Sequence, residues 1–137
     1  MDALTDTSFL LATAAPRDQY HAAAREAMSK RQDTRQIIAA VLPEVFYMTM
    51  VRVSYDAAVT LVRQITTSGI PIIPLVDADY RRMDEIMRQY RDSEFDFVDV
   101  AQMAVAERLN IRRIYTFDRR DFVQFKPRHA DYLELLP

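Results

Sequence analysis

Short apolar runs alternate along the chain with longer segments in which apolar residues recur every three or four positions. The runs at residues 3–6, 37–39, 70–75 and 114–117 predict strands, that at 70–75 a buried one, and residues 132–135 predict a short edge strand. Strands that alternate with helices predict a parallel sheet covered by helices on both faces.

Capping residues mark several of the helical segments. Ser8 suits a helix N-cap, Pro43 suits a first helical turn, and Gly69 suits a C-cap. The predicted helices span residues 9–14, 18–31, 44–52, 56–68 and 97–109, and a further helix opens at Asp77. The segment 97–109 is apolar on nearly every side, so we expect it deep in the core.

The composition is that of an ordinary globular protein. Its 137 residues are half hydrophobic and 28% charged, which predicts a single domain over residues 1–137. No residue is a cysteine, which excludes disulfides, thiol catalysis and thiolate zinc sites and favours a reducing compartment. Because we find neither a signal peptide nor an apolar stretch of ~20 residues, we expect a cytoplasmic protein with no membrane partner.

The low glycine content excludes two common nucleotide-binding motifs. Gly69 is the only glycine, whereas phosphate-binding loops and dinucleotide fingerprints need several at fixed spacing. The net charge of -2 also predicts no overall attraction to nucleic acid or to a membrane.

Four scattered acidic residues are placed where this kind of fold binds ligands. Asp6 ends the first predicted strand and Asp118 ends the last clear one, and open parallel sheets bind ligands beyond the carboxyl ends of their strands. Glu44 opens the helix after the second strand, and Asp99 lies in the first turn of the most apolar helix. The four side chains could therefore face one small volume.

A cluster of carboxylates needs a positive charge to remain ionised, because the groups raise one another's pKa values. No lysine, histidine or cysteine belongs to these segments, so a hard cation is the natural candidate. Mg²⁺ and Mn²⁺ both accept oxygen ligands, and such ions activate water for displacement at phosphorus.

Each acid also has an ordinary structural interpretation. Asp6 could be a loop residue or a helix cap, and Glu44 occupies a position where any helix favours an acid. Asp96 and Asp99 have the spacing of a capping box, and Asp118 could belong to a charged turn. The joint placement of the four acids, rather than any one of them, therefore indicates a site.

Four segments carry a resemblance to a known family. They are residues 6–11, 42–45, 96–101 and 116–122, with the sequences DTSFLL, LPEV, DFVDVA and TFDRRDF. Their order and spacing resemble a PIN-domain ribonuclease, specifically the toxin of a VapBC-type toxin–antitoxin pair. The similarity runs from about residue 4 to the end of the chain.

The resemblance implies a three-layer α/β/α sandwich with a mainly parallel central sheet and an endoribonuclease that depends on Mg²⁺ or Mn²⁺. It assigns catalytic roles to Asp6, Glu44, Asp99 and Asp118, with Asp6, Asp99 and Asp118 as metal ligands. Asp121 is a secondary candidate.

Two positions depart from the family pattern. The first strand is less hydrophobic than expected, which leaves Asp2 as an alternative to Asp6, but the Thr-Ser-Phe-Leu that follows favours Asp6. Asn110 replaces the glycine that commonly ends the third-motif helix, and asparagine also tolerates a left-handed C-cap.

RNA is a polyanion, and the C-terminal region supplies positive charge. Residues 112–129 contain six basic side chains against two acidic ones, and we expect Arg119 and Arg120 to bind substrate phosphates. The alternative is that these arginines only solvate a loop. Phe122 and Phe125 are candidates to stack on bases, although core packing is expected for at least one of them.

Small polar residues beside the acids are further candidates. The resemblance implies that Ser8 and Thr116 bind substrate, with Thr7 as a possible third contact. His21 and His129 are interpreted as ordinary surface or helix residues with no catalytic role.

The resemblance also implies partners: RNA as substrate, a small antitoxin protein and a second copy of the chain in a homodimer. Adaptable apolar residues could form the homodimer face or an antitoxin groove, although most should belong to the core. These residues are Tyr47, Met48, Met50, Tyr80, Met83, Met87 and Tyr90.

Two other functions fit the same predicted fold. A non-catalytic PIN-like module would bind RNA or protein without cleavage, but loss of an acidic position would mark it, and all four are present. A metal-dependent phosphatase would need a motif for a phospho-aspartate nucleophile, which we do not find.

Overall fold

The alternating pattern of the sequence folds as one five-stranded sheet with six helices, and the computed structural model describes residues 1–137. The strands are β1 (Asp2–Thr5), β2 (Thr34–Ile38), β3 (Ile72–Ile73), β4 (Arg113–Tyr115) and β5 (Glu134–Leu136). The helices are α1 (Thr7–Ala14), α2 (His21–Lys30), α3 (Val41–Arg52), α4 (Tyr55–Thr67), α5 (Asp77–Gln89) and α6 (Phe97–Arg108). None of these helices is both long enough and apolar enough to cross a membrane.

The sheet is parallel throughout, in the order β3-β2-β1-β4-β5, and this confirms the predicted α/β class. Neighbouring residues of β1 enter different apolar clusters, as the two-residue period of a strand requires. Ala3 packs with Phe9 of α1 and Ala24 of α2, whereas Leu4 packs in the cluster that contains Val105 of α6. Helices therefore cover both faces of the sheet.

The pairing of the two central strands sets the position of the site. Leu4 pairs with Ile114 and Thr5 with Tyr115, so β1 and β4 end at the same level. The amide of Asp6 continues this ladder by donating to the carbonyl of Tyr115 at 2.9 Å. The residues that follow the two strands therefore emerge side by side.

Helix α6 is the most buried helix, as its sequence predicts. Eight of its 12 residues are buried, among them Val100, Met103 and Val105. Its first turn is the exception, because Phe97 is exposed and Asp99 is partly exposed. Asp99 is therefore partly accessible at the edge of the sheet, although most of its helix is buried in the core.

The predicted buried strand at residues 70–75 is wrong in length and in burial. Only Ile72–Ile73 pairs, at the edge of the sheet beside β2, and Ile72 is 38% exposed. Pro71 and Pro74 flank this pair, and a proline has no amide hydrogen to donate to a ladder. An apolar run between two prolines therefore gives a short edge strand.

Three helix starts also differ from the prediction. Helix α3 begins at Val41 rather than Glu44, which still places Glu44 in its first turn. Helix α1 begins at Thr7 rather than Phe9, with Asp6 instead of Ser8 at the extended N-cap position. Helix α2 begins at His21 rather than Asp18, because Asp18 Oδ1 accepts a hydrogen bond from the Tyr20 amide in a tight turn.

The two predicted C-cap residues adopt the left-handed backbone. Gly69 has φ of +78° after α4, and Asn110 has φ of 53° after α6. Asparagine tolerates this conformation better than most residues with a side chain.

Candidate active site

The four predicted acids line one cavity of about 330 Å³ beyond the carboxyl ends of β1 and β4. Asp6 comes from the end of β1, Glu44 from the first turn of α3, Asp99 from the first turn of α6, and Asp118 from the loop after β4. Asp2, the alternative to Asp6, opens β1 and is exposed, four residues before that end. The geometry therefore favours Asp6.

Asp6 is buried and held by three side-chain donors. Gln102 Nε2 donates to Oδ1 at 2.7 Å, while the hydroxyls of Thr116 and Ser8 donate to Oδ2 at 2.7 and 3.0 Å. The carboxyl group is 3% exposed, so these donors replace water around it. Asp6 is the most rigidly placed of the four acids.

Ser8 also shapes the loop that carries Asp118. Its Oγ accepts hydrogen bonds from the amides of Phe117 and Asp118 at 2.9 and 3.3 Å. Thr116 Oγ1 accepts from the Asp118 amide at 3.0 Å. The two hydroxyls predicted to bind substrate are thus both bonded within the protein.

Asp96 acts as the N-cap of α6. Its Oδ1 accepts from the amide of Asp99 at 3.0 Å, which confirms the capping interpretation of this residue. Asp121 Oδ2 in turn accepts from the amide of Asp96 at 3.2 Å, so Asp121 closes the same corner of the site.

Burial and mutual repulsion act against ionisation of three of the acids. Burial raises the pKa of Asp6, although its three hydrogen-bond donors oppose that rise. Burial, then the charge of Asp6 and contact with Asp121, raise the pKa of Asp99 far above its usual range. Burial also raises the pKa of Glu44, and the charges of Asp96, Asp6 and Asp118 add to the effect.

Three arginines lie close to the acidic cavity. Arg120 donates to both carboxylate oxygens of Asp118, at 3.2 and 3.3 Å, in an ion pair whose side chains are 86% and 45% exposed. Exposed pairs of this kind are weak. Arg119 donates to the backbone oxygen of Pro137 at 2.8 Å, and Arg52 lines the cavity from the end of α3.

The donor set fits a hard divalent cation. Six carboxyl side chains line the cavity against the single arginine Arg52, and a metal cation there would offset the repulsion that raises the pKa values of Asp99 and Glu44. No three of these side chains are arranged closely enough to hold an ion by themselves. Mg²⁺ suits such a site, because it is commonly bound by one or two carboxylates and keeps several of its waters.

Three residues of the site are not among those predicted from the sequence. Gln102 is fully buried beside Asp6, and its signal was a lone amide within the apolar segment 98–106. Tyr20 and Arg52 line the cavity from the start of α2 and the end of α3. Neither residue stands in a motif, so no sequence pattern singles it out.

Both phenylalanines considered for base stacking lie in the core, which confirms the core packing expected for at least one of them and excludes stacking for both. Phe122 is 2% exposed and Phe125 is 3% exposed, so neither ring is accessible to a ligand. The histidines do have structural roles: His21 Nδ1 lies 2.7 Å from the carbonyl of Ala12, and His129 Nε2 lies 2.7 Å from that of Ile111.

The apolar residues proposed for a partner face divide between core and surface. Met83 is 1% exposed, whereas Tyr47, Tyr80 and Met87 are exposed on α3 and α5. Only the exposed members remain candidates for a homodimer or antitoxin contact.

Comparisons with known proteins agree with this geometry. A family profile described as PIN domain matches residues 3–126. Ribonuclease VapC26 of Mycobacterium tuberculosis is 27% identical over 134 residues, which cover 98% of this chain and 99% of that protein.

Solved structures share the fold at lower sequence identity. The structure of VapC20 from Mycobacterium tuberculosis, described as a Sarcin-Ricin loop cleaving toxin, superposes with a TM-score of 0.83 at 21% identity, covering 93% of this chain and 98% of that one. VapBC2 from Rickettsia felis, bound to a DNA fragment from its promoter, gives 0.71 at 16% identity and covers 98% and 97%. These likenesses confirm the three-layer fold.

Proposed function

This chain belongs to the PIN domain family, and from that premise we propose that it is a metal-dependent endoribonuclease and the toxin of a toxin–antitoxin pair. One observation carries the proposal: four acids from four distant segments line a single cavity at the carboxyl edge of the sheet. The similarity to a protein named a ribonuclease supports the choice of reaction.

Asp6, Asp99 and Asp118 are the residues that would hold Mg²⁺ or Mn²⁺, with Glu44 at the wall of the same cavity. When bound, such an ion supplies an activated water and stabilises negative charge at phosphorus. The protein's own contribution is to keep Asp6 in one orientation, through Gln102 and the two hydroxyls bonded to it.

Ser8 and Thr116 therefore act first as positioning residues in this proposal. Their hydroxyls are bonded to Asp6 and to the backbone of the loop after β4. Ser8 lines the cavity, whereas Thr116 is fully buried behind its lining. Contact of either residue with substrate remains a prediction.

Arg119 and Arg120 are proposed to meet RNA phosphates beside the acidic centre. Both side chains are exposed, and the pair between Arg120 and Asp118 is weak enough to exchange for a phosphate. The antitoxin is proposed as a protein partner, and the relative VapBC2 illustrates the kind of complex intended. A homodimer through exposed residues of α3 and α5 remains part of the proposal.

The proposal is tested by incubating the purified protein with structured RNA in Mg²⁺, Mn²⁺ or EDTA. We expect cleavage only with metal, and loss of cleavage in Asp6→Asn and Asp99→Asn. Asp131→Asn is the matched control, because Asp131 is an exposed acid outside the cavity.

Each alternative has its own outcome in the same experiment. Cleavage that persists in EDTA or in both cavity variants would contradict the nuclease proposal. RNA binding without cleavage under every condition would favour the non-catalytic module. Hydrolysis of a generic phosphomonoester in place of RNA would favour a phosphatase.

A further inference from the structure

Three aromatic rings form a stack that leads from the core to the wall of the acidic cavity. Phe9 and Phe117 lie 5.8 Å apart with 14° between their planes, and Phe117 and Tyr20 lie 4.4 Å apart with 3° between theirs. Phe9 is fully buried, whereas Tyr20 is 40% exposed. The column therefore ends in a ring that solvent reaches.

Tyr20 is fixed by the backbone around it. Its amide donates to Asp18 Oδ1 at 2.8 Å, and its carbonyl accepts from the Ala24 amide at 2.9 Å in the first turn of α2. The next residue, His21, ties this turn to α1 through the carbonyl of Ala12. With its backbone fixed by these bonds and its ring stacked on Phe117, the Tyr20 side chain loses little conformational freedom when a ligand stacks on it.

Tyr20 also lies where two cavities adjoin. Together with Phe117 and Asp118 it lines both the acidic cavity and a second cavity of about 610 Å³, which contains Arg119 and Arg120. A polyanionic strand that runs from these arginines to the acidic cavity crosses the boundary that Tyr20 forms with Phe117 and Asp118.

We propose that Tyr20 stacks on an unpaired base of the RNA strand, next to the phosphate that enters the acidic cavity. This inference rests on the proposed function, since it assigns part of the RNA-binding surface of the same site. Aromatic rings in single-strand binding proteins stack on bases of any sequence, because every base has a π-face. The base continues the column of Phe9, Phe117 and Tyr20 as its fourth ring.

The direct test measures binding rather than cleavage. A short unstructured oligoribonucleotide carrying 2-aminopurine is titrated with the protein in EDTA, so that no metal-dependent cleavage intervenes. We expect Tyr20→Ala to weaken binding roughly tenfold and to remove the quenching of 2-aminopurine at one position. Tyr20→Phe should bind like the original chain, because the Tyr20 hydroxyl makes no hydrogen bond within the protein.

Matched variants separate stacking from a loss of structure. Tyr20→Leu keeps an apolar cover over Phe117 but offers no ring, so it should bind as weakly as Tyr20→Ala at an unchanged melting temperature. Tyr132→Ala removes an exposed tyrosine outside both cavities, 70% exposed just before β5, and should leave binding unchanged.

An abasic substitution gives the decisive comparison. Removing the base at the quenched position should weaken binding by the original chain to the level of Tyr20→Ala, and should weaken Tyr20→Ala no further. Equal RNA binding by the original chain and Tyr20→Ala would overturn the inference, and so would equal losses of affinity by the two proteins on the abasic strand. The exposed ring of Tyr20 would then be assigned to contact with a protein partner.

The two proposals fail in different ways. Absence of cleavage with any metal would refute the nuclease proposal, while a difference between Tyr20→Ala and Tyr132→Ala in EDTA would still support stacking. Metal-dependent cleavage with no effect of Tyr20→Ala on binding or on KM would refute stacking alone.

Discussion

Asp6 and Asp99 differ in the groups that surround their carboxyl groups. Both are acids whose pKa is raised by burial, but Asp6 has three side-chain donors and Asp99 has none. Asp99 instead lies close to the charges of Asp6 and Asp121. Asp99 is therefore the residue at which removal of the charge should have the clearest consequences.

Asp99→Asn should stabilise the metal-free protein and abolish its response to metal. The amide keeps the size of the side chain but removes a charge from a crowded, partly buried position, so we expect the melting temperature in EDTA to rise by a few degrees. Added Mn²⁺ should raise the melting temperature of the original chain, because a ligand that binds only the folded state stabilises it.

Thermal unfolding in EDTA and in Mn²⁺ measures both effects, with Asp131→Asn as the control. An equal response of Asp99→Asn and the original chain to Mn²⁺ would show that Asp99 is not a ligand.

Gln102 provides a second prediction at the same scale. Its Nε2 holds Asp6 at 2.7 Å, but its buried Oε1 has no hydrogen-bond partner. Gln102→Leu removes the unpaired acceptor but also leaves the buried Asp6 Oδ1 without its donor, so the free energy of unfolding should fall by about 1–3 kcal/mol. Cleavage should fall by roughly tenfold or more under conditions where the variant is folded, since Asp6 loses one of the groups that orient it.

The readouts are urea unfolding, metal-dependent RNA cleavage and the Mn²⁺ concentration that gives half-maximal activity. A positioning role predicts a higher Mn²⁺ requirement. Lower activity at an unchanged Mn²⁺ requirement would show that Gln102 is only a packing residue.

At the scale of elements, the end of the sheet opposite the cavity is held by one buried acid. Asp33, just before β2, accepts from Arg113 Nη1 of β4 at 2.6 Å and from the hydroxyl of Tyr115. Arg113 also pairs with Glu134 of β5 at 3.0 Å. These contacts connect the start of β2 to β4 and β5, although β1 lies between β2 and β4 in the sheet.

The link should make stability fall in acid. Burial alone would raise the pKa of Asp33, but hydrogen bonds from Tyr115 and Arg113 outweigh it and hold that pKa below its usual value. Asp33 therefore contributes stability above the unfolded pKa of about 3.9, and this contribution is lost as the pH falls through the lower folded pKa.

Asp33→Asn should lower the free energy of unfolding by about 1–2 kcal/mol at neutral pH. The difference from the original chain should shrink as the pH drops below about 4. Urea unfolding across this range gives the comparison, and a difference that stays constant with pH would refute the charged interaction.

Element types were predictable from the sequence, whereas element ends depended on contacts. The period of apolar positions indicated the helices, and α6 was found within one residue. By contrast, the side-chain bond from Asp18 delays α2 until His21, and two prolines shorten β3 to Ile72–Ile73. Single side-chain hydrogen bonds and prolines of this kind do not alter the period of the apolar positions, so the pattern does not reveal where an element begins or ends.

At the scale of the molecule, motif spacing located the acids but not their surroundings. Asp6, Glu44, Asp99 and Asp118 stand in segments with recognisable order, and the parallel register of β1 with β4 brings them together. Tyr20 reaches the cavity only because the turn before α2 packs on the loop after β4. That contact joins residues far apart in sequence, so no local pattern could reveal it.

The net charge of -2 does not describe the surface that RNA would meet. Arg119 and Arg120 line a cavity that adjoins the acidic one at Tyr20 and Asp118, while Arg52 and Arg17 line a further cavity that adjoins it at Asp18. A strand that extends from the acidic cavity into both neighbours can therefore contact positive charge in each. We expect binding to weaken steeply with salt, although the protein as a whole is slightly acidic.

Arg52→Gln and Arg119→Gln should each reduce the dependence of RNA affinity on salt. Each phosphate contact on a single strand contributes about 0.7 to the slope of log affinity against log salt concentration, so each variant should lower the slope by about that amount. Arg63→Gln is the control, because Arg63 is an exposed arginine of α4 outside these cavities. Equal slopes for all three variants and the original chain would show that the strand does not cross the centre between the two arginine groups, whereas a reduction in Arg119→Gln alone would confine it to the side that contains Tyr20.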